Sequence, residues 1–342
     1  MTVTPAAWIA VVVAIVVMLA VDLLAHRKAH VIGVREAAAW SAVWVGLGIG
    51  FGVLLAVVAG WDPATQYFSG YLIEKTLAVD NVAVFAVLFA SFAVPREYQH
   101  RVLFYGVLGA LVLRGIFIAA GAYALERFAG LLYVFGIILL VSAVLMLRRR
   151  GAHPDPSQNR IVRLVGRVLP TTTEYHGQRF WVRQAGRWVA TPLFVVLVAV
   201  EITDVIFAVD SIPASFAVTQ DPFLVFTSNA FAILGLRALY FLLADLMHRF
   251  VHLTTALAVV LALVGVKLLL HDVVKVPSWA SFAAIAVVIT IGVVTSLRST
   301  RGAVAPPSES QPSDPQPSDN QPSDPQPSDP QPDQGPAEPA LR

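Results

Sequence analysis

Apolar side chains fill this sequence in runs of about twenty residues, separated by short polar intervals. A helix of that length spans roughly 30 Å, the thickness of a bilayer's hydrocarbon. Such runs fall near residues 5–25, 37–60, 69–94, 102–123, 129–147, 192–214, 223–246, 253–271 and 277–297. They predict an all-α, polytopic membrane protein of about nine transmembrane helices. The first run has no basic residue before it and no small-residue cleavage site leading into a soluble domain, so it reads as a retained span.

Polar residues interrupt the apolar pattern in a few places, and two of those places are alike. EKTLAVDNVAVFAV runs from Glu74 to Val87, and EITDVIFAVDSIPA from Glu201 to Ala214. Aligning AVDN with AVDS sets Asp80 on Asp210, Asn81 on Ser211 and Glu74 on Asp204. Downstream of each stretch an arginine recurs inside an apolar run: Arg114 closes GVLGALVLR and Arg237 closes NAFAILGLR. The chain reads as two copies of one acidic unit, near residues 69–147 and 192–271, within a transmembrane domain of residues 1–301.

Basic residues set the expected orientation. His26, Arg27, Lys28 and Arg35 follow the first span, and Arg96 and Arg101 the third. An arginine-rich loop at 148–191 follows the fifth, Arg249 the seventh, and Arg298 and Arg301 the ninth. All fall on one side, which predicts a plasma-membrane protein with its N-terminus outside and its C-terminus in the cytoplasm. Spans three and six then run in opposite directions, so the two copies form an inverted-topology repeat, a plan on which many secondary transporters build a midplane site. Asp80 lies near mid-span whereas Asp210 falls late in its own, and a helix break at Ile212–Pro213 is expected to reconcile them.

Smaller patterns carry smaller expectations. In GLGIGFG, the four-residue spacing of Gly46 with Gly50 and of Gly48 with Gly52 predicts close helix packing. Ile161, Leu164, Val165 and Val168 share one helical face and Arg160, Arg163 and Arg167 another, which predicts a short helix on anionic lipid headgroups. RFWVRQAGRWVAT alternates around Ala185 and Gly186, the mark of a small hairpin. From Gly302 the QPSD repeats are too rich in proline and small polar residues to form a core, so 302–342 reads as a disordered cytoplasmic tail.

Composition sharpens the chemistry. The chain has no cysteine, which excludes disulfides, thiolate metal sites and cysteine nucleophiles. Inside spans three to eight stand five acids (Glu74, Asp80, Glu201, Asp204 and Asp210) against Lys75, Arg114, Arg237 and Lys267. An ionised side chain near the bilayer centre costs roughly 2.5–3.5 kcal/mol, so these acids need partners, protons or a cation. One reading is a closed ion-pair network, with Arg114 and Arg237 as charge partners of Asp80 and Asp210, that only fixes helix packing. Against it, Lys75 and Lys267 lie toward the outer ends of their spans, where lysine snorkels out and leaves a surplus of carboxylate. Buried ion pairs also give little stability for their desolvation cost. Glu74 and Asn81 share a helical face, as do Asp204 and Ser211, while Asp80 and Asp210 lie about 120° away. Thr76, Thr203, Ser228 and Asn229 add neutral oxygens. An all-oxygen anionic site suits hard divalent ions such as Mn²⁺, Mg²⁺ or Ca²⁺. The candidate ligands are Glu74, Asp80, Asn81, Glu201, Asp204, Asp210 and Asn229, with Asp80 and Asp210 as an equivalent pair. Asp22 reads as a helix-end solvation point rather than a rim ligand.

The runs EKTLAVDN, QHRVLFYGVLGALVLR, EITDVIFAVDSIPASFAVTQDP, FTSNAFAILGLRALYFLLA and GVKLLL closely resemble the signature runs of the TerC family of integral membrane proteins. The likeness covers about residues 15–272, matches the family's acidic positions at Glu74, Asp80, Glu201, Asp204 and Asp210, and leaves the tail outside. It implies an association with tellurium resistance, efflux of manganese from the cytoplasm by several members, and a place in the LysE-type transporter superfamily. The expected function is export of divalent cations, Mn²⁺ first, coupled to protons. The alternative is a membrane scaffold for a tellurium-resistance or stress complex. A membrane hydrolase with paired carboxylates is set aside, because an inverted repeat predicts alternating access. No enzymatic activity, no resident cofactor and no nucleic-acid partner are expected.

Overall fold

Segments that are apolar on every side become helices, because only a helix satisfies its own backbone groups where water is absent. A computed structural model of the chain describes residues 3–25, 33–128, 130–148, 172, 174–184, 186–243, 253–273 and 276–301. Ten helices appear among them: α1 (Pro5–Ala25), α2 (Val34–Ala59), α3 (Trp61–Ser91), α4 (Arg96–Arg127), α5 (Leu131–Arg148), α6 (Pro192–Val218), α7 (Pro222–Leu234), α8 (Leu236–Leu243), α9 (Leu253–Leu269) and α10 (Ser278–Arg301). Each apolar run coincides with one of them, except that α7 and α8 together make the seventh. The protein is a helical, polytopic membrane protein. Six of the described helices are long and apolar enough to cross a membrane unaided, and the α7–α8 pair, bent by 41°, makes a seventh. Of the two other predicted spans, α3 carries Asp62, Glu74, Lys75 and Asp80, and α9 has 17 residues. Side chains such as Val57, 80% exposed, and Val58, 74% exposed, give the bundle the apolar outer surface that a lipid-facing protein needs.

The centre of the bundle is α3, which packs against α2, α6, α7, α8, α9 and α10, while α4 packs on α6 and α7. Close approach depends on missing side chains. A Cβ at Gly48 would stand 2.7 Å from the Tyr71 ring, and one at Gly52 2.2 Å from the Phe68 ring. Gly46 and Gly50 face open space, so half of the glycine pattern serves packing within the chain. Between α5 and α9 the backbones themselves meet: a Cβ at Gly136 would lie 3.1 Å from the Gly265 carbonyl oxygen, and one at Gly265 3.0 Å from that of Gly136.

The expected break at Pro213 is not there. Helix α6 runs through Pro213 to Val218, since the proline φ suits a helix and the missing N–H leaves a single carbonyl without its donor. The break falls instead at Gly235, between α7 and α8. A Cβ there would stand 2.9 Å from Trp44 Cβ and 3.1 Å from Lys75 Nζ, so α2 and α3 fill a notch that a larger residue would close. Asp221 caps α7 by accepting from the Phe223 N–H at 3.0 Å, with Pro222 at the first helical position.

The predicted hairpin forms from β1 (Trp181–Gln184) and β2 (Arg187–Ala190), antiparallel, with Gly186 at a φ of 80° in the turn. Tyr175 donates to the Phe92 carbonyl at 2.6 Å, and the Arg101 guanidinium stands 5.5 Å from the Phe180 ring centre. These contacts seat the hairpin at the start of α4. The amphipathic segment 160–168 and the tail 302–342 lie outside the described residues.

Candidate functional site

Four helices converge on one arginine. Leu111, Arg114 and Ile118 lie on the inward face of α4, and Arg114 is 2% exposed. Its Nε and Nη2 donate to the two carboxylate oxygens of Asp204 on α6 at 3.3 and 3.0 Å, a two-pronged grip that matches the planar guanidinium to the carboxylate. Its Nη1 donates to Glu74 on α3, to Ser211 Oγ at 3.0 Å and to Asn229 Oδ1 at 3.0 Å on α7. Asn229 is oriented by its own amide N–H groups, which donate to Ser215 Oγ at 3.0 Å and the Val225 carbonyl at 3.1 Å. Its carbonyl oxygen is thereby turned to the arginine.

Charge does not balance here. Two carboxylates share one guanidinium, and Glu74, fully buried, keeps an oxygen, Oε2, with no hydrogen-bond partner. Asn81, on the same face of α3 two turns on, also has a buried carbonyl oxygen without a donor. An unpaired buried acceptor costs about 1–3 kcal/mol, more when it is charged. The free oxygen of the Glu74 carboxylate favours a proton or a cation.

The remaining candidates stand elsewhere. Thr254 Oγ1 on α9 donates to Asp80 at 3.4 Å, and Ser142 on α5 donates to Asp210. Each aspartate thus takes its hydroxyl from the other copy. Glu201, three residues before Asp204, lies on Gly109 of α4, where a Cβ would stand 2.0 Å from its Oε1. Its Oε2 is buried without a partner. Arg237 pairs with Asp22 of α1. Both arginines therefore have partners, but not Asp80 and Asp210: the sequence reading matched them by position in the repeat, whereas the helices bring other acids within reach. Asp22, 5% exposed, is no solvated helix end. A lone acid in a run of apolar residues was the signal for its pairing. Lys75 does not snorkel either; it bends inward and donates to the Ala232 carbonyl at 3.2 Å. Among the described residues, no three His, Cys, Asp or Glu side chains come together as a metal-binding group. The structure gathers Glu74, Asp204 and Asn229 on Arg114, and leaves Asp80, Asp210 and Glu201 at separate contacts.

The likeness to known proteins extends across the helices that build this arrangement. The sequence profile of the integral membrane protein TerC family matches residues 59–303. The chain belongs to the TerC family. Every site residue from Glu74 to Asn229 lies inside the TerC match, whereas Asp22 lies before it. A Myxococcus xanthus protein named "Uncharacterized membrane protein STKORF319" is 45% identical over 309 residues, covering 88% of this chain and 94% of its own. An Escherichia coli protein named "Putative membrane-bound redox modulator Alx" is 46% identical over 300 residues, 82% of this chain and 91% of its own. No solved structure matches the chain.

Proposed function

We propose that this TerC-family protein exports divalent cations, manganese first among them, from the cytoplasm across the plasma membrane, with protons moving in exchange. The observation that supports this is the excess of buried carboxylate around Arg114: Glu74 and Asp204 against one guanidinium, with Glu74 Oε2 unpartnered. Oxygen donors of this kind suit a hard divalent ion. Arg114 holds the two carboxylates together while no ion is bound. An arriving cation competes with it for the same oxygens, so the guanidinium keeps the site closed until substrate displaces it. Asp80, Asp210 and Glu201 supply further carboxylates along the path, able to carry either a proton or the ion. The name of the Alx relatives points to redox modulation; in this chain the absence of cysteine closes the thiol route to such a role.

Cellular manganese under manganese excess, measured with and without the protein, tests the reading directly. Glu74→Gln removes the surplus charge and keeps the shape, so it is expected to reach the membrane at normal abundance and leave cells as manganese-loaded as those lacking the protein. Export unchanged in that variant would refute the site.

A further inference from the structure

Lys75 is a basic side chain of the transmembrane core to which the transport reading gives no part. Among the described residues no carboxylate lies within ion-pair distance of it; its contact is the Ala232 carbonyl, 3.2 Å from Nζ. Ala232 belongs to the last turn of α7, whose terminal carbonyls lose their helical donors where the chain breaks at Gly235. The C-terminal end of a helix carries partial negative charge and favours a cation. In broken transporter helices, such carbonyl ends bind small monovalent cations.

The two copies differ at this spot in a correlated way. The position equivalent to Lys75 in the second copy is Val205, and the position equivalent to Gly235 in the first is Val112. Helix α4, which contains Val112, runs unbroken from Arg96 to Arg127. The broken helix belongs to one copy and the lysine to the other, and Nζ stands 3.1 Å from where a Cβ on Gly235 would be. A lysine serving only to pack α3 would not need the break, and a break in the buried, water-free core without a donor would leave its carbonyls bare.

We propose that Lys75 is a tethered cation: its ammonium fills a monovalent-cation subsite at the carbonyl end of α7 and holds the seam of the broken span. This does not depend on the transport reading. Removing the side chain should open the subsite to a free ion. The test is the melting of the purified full chain in sodium chloride and in choline chloride at equal ionic strength. The wild-type protein should melt at the same temperature in both. Lys75→Ala should melt lower in choline and recover by about 3 °C or more in sodium, saturably. Lys75→Gln, which keeps one donor for the Ala232 carbonyl but no charge, should show the same dependence with smaller amplitude. A sodium effect of equal size in the wild type, or none in either variant, would overturn the proposal. So would failure of both variants to accumulate in sodium-rich medium, because the free ion should then have replaced the lysine.

Discussion

Arg114 and Arg237 hold equivalent places in the two copies, yet their ion pairs reach to different parts of the chain. Arg114 takes Glu74 from its own copy and Asp204 from the other, whereas Arg237 pairs with Asp22 on α1. The chain breaks two residues before Arg237 and runs straight past Arg114. Beside the break, Arg237 stays buried and pairs with a helix that precedes the repeat. A repeat therefore supplies two like frames but one site. The frame not used for the site is spent on fixing α1 and α2 to the bundle.

Replacing the shared arginine tests this difference most strongly. Arg114→Ala strands Glu74 and Asp204 and should cost about 3–5 kcal/mol, seen as loss of the protein from the membrane fraction. Adding Glu74→Gln and Asp204→Asn to it should restore abundance without restoring manganese export. Asp22→Asn neutralises the acid that pairs with the other arginine and should cost less, about 2 kcal/mol by thermal melting. The amide oxygen still accepts from Arg237, and Glu36 stays within its electrostatic reach. Equal losses for the two changes would erase the distinction between the arginines.

Gly109 offers a finer comparison, because its equivalent in the second copy is Ala232. Gly109→Ala makes the copies alike and drives a methyl against the Glu201 carboxylate. The carboxylate end can swing aside, so melting should show a loss of about 1–2 kcal/mol, with export reduced more than stability. Smallest of all are Ser142→Ala and Thr254→Ala, each worth about 1 kcal/mol or less through its single hydrogen bond to Asp210 or Asp80. If the copies are equivalent at these aspartates, the two melting shifts should match; a clear inequality would show that one aspartate is held by more than its hydroxyl partner.

The helices were legible because each coincides with an apolar run, and the hairpin because of the alternation around Gly186. The acids were legible as exceptions within those runs. Their partners were not, since Arg114 and Asp204 lie 90 residues apart and Asp22 and Arg237 215 apart, and no periodicity encodes such distances. Proline is the obvious breaker, so the sequence points to Pro213 for the helix break. A single proline only removes one donor, whereas Gly235 makes room for Trp44 and Lys75 to wedge in. Lys75 was misplaced for a related reason: without the break there was no bare carbonyl for it to seek.

The order in which Glu74, Arg114 and Asp204 are synthesised has its own consequence. Arg114 is translated 40 residues after Glu74 and 90 before Asp204. At roughly 5–20 residues per second, the ribosome delivers Asp204 about 5–18 s after the arginine. Until then the nascent first copy holds Glu74 and Arg114 as a balanced pair, which a bilayer accepts more readily than an isolated charge. The excess negative charge arrives with α6, when more than half of the chain is already made. The surplus of carboxylate at Arg114, on which the proposed export function relies, therefore exists only once the second copy is in place.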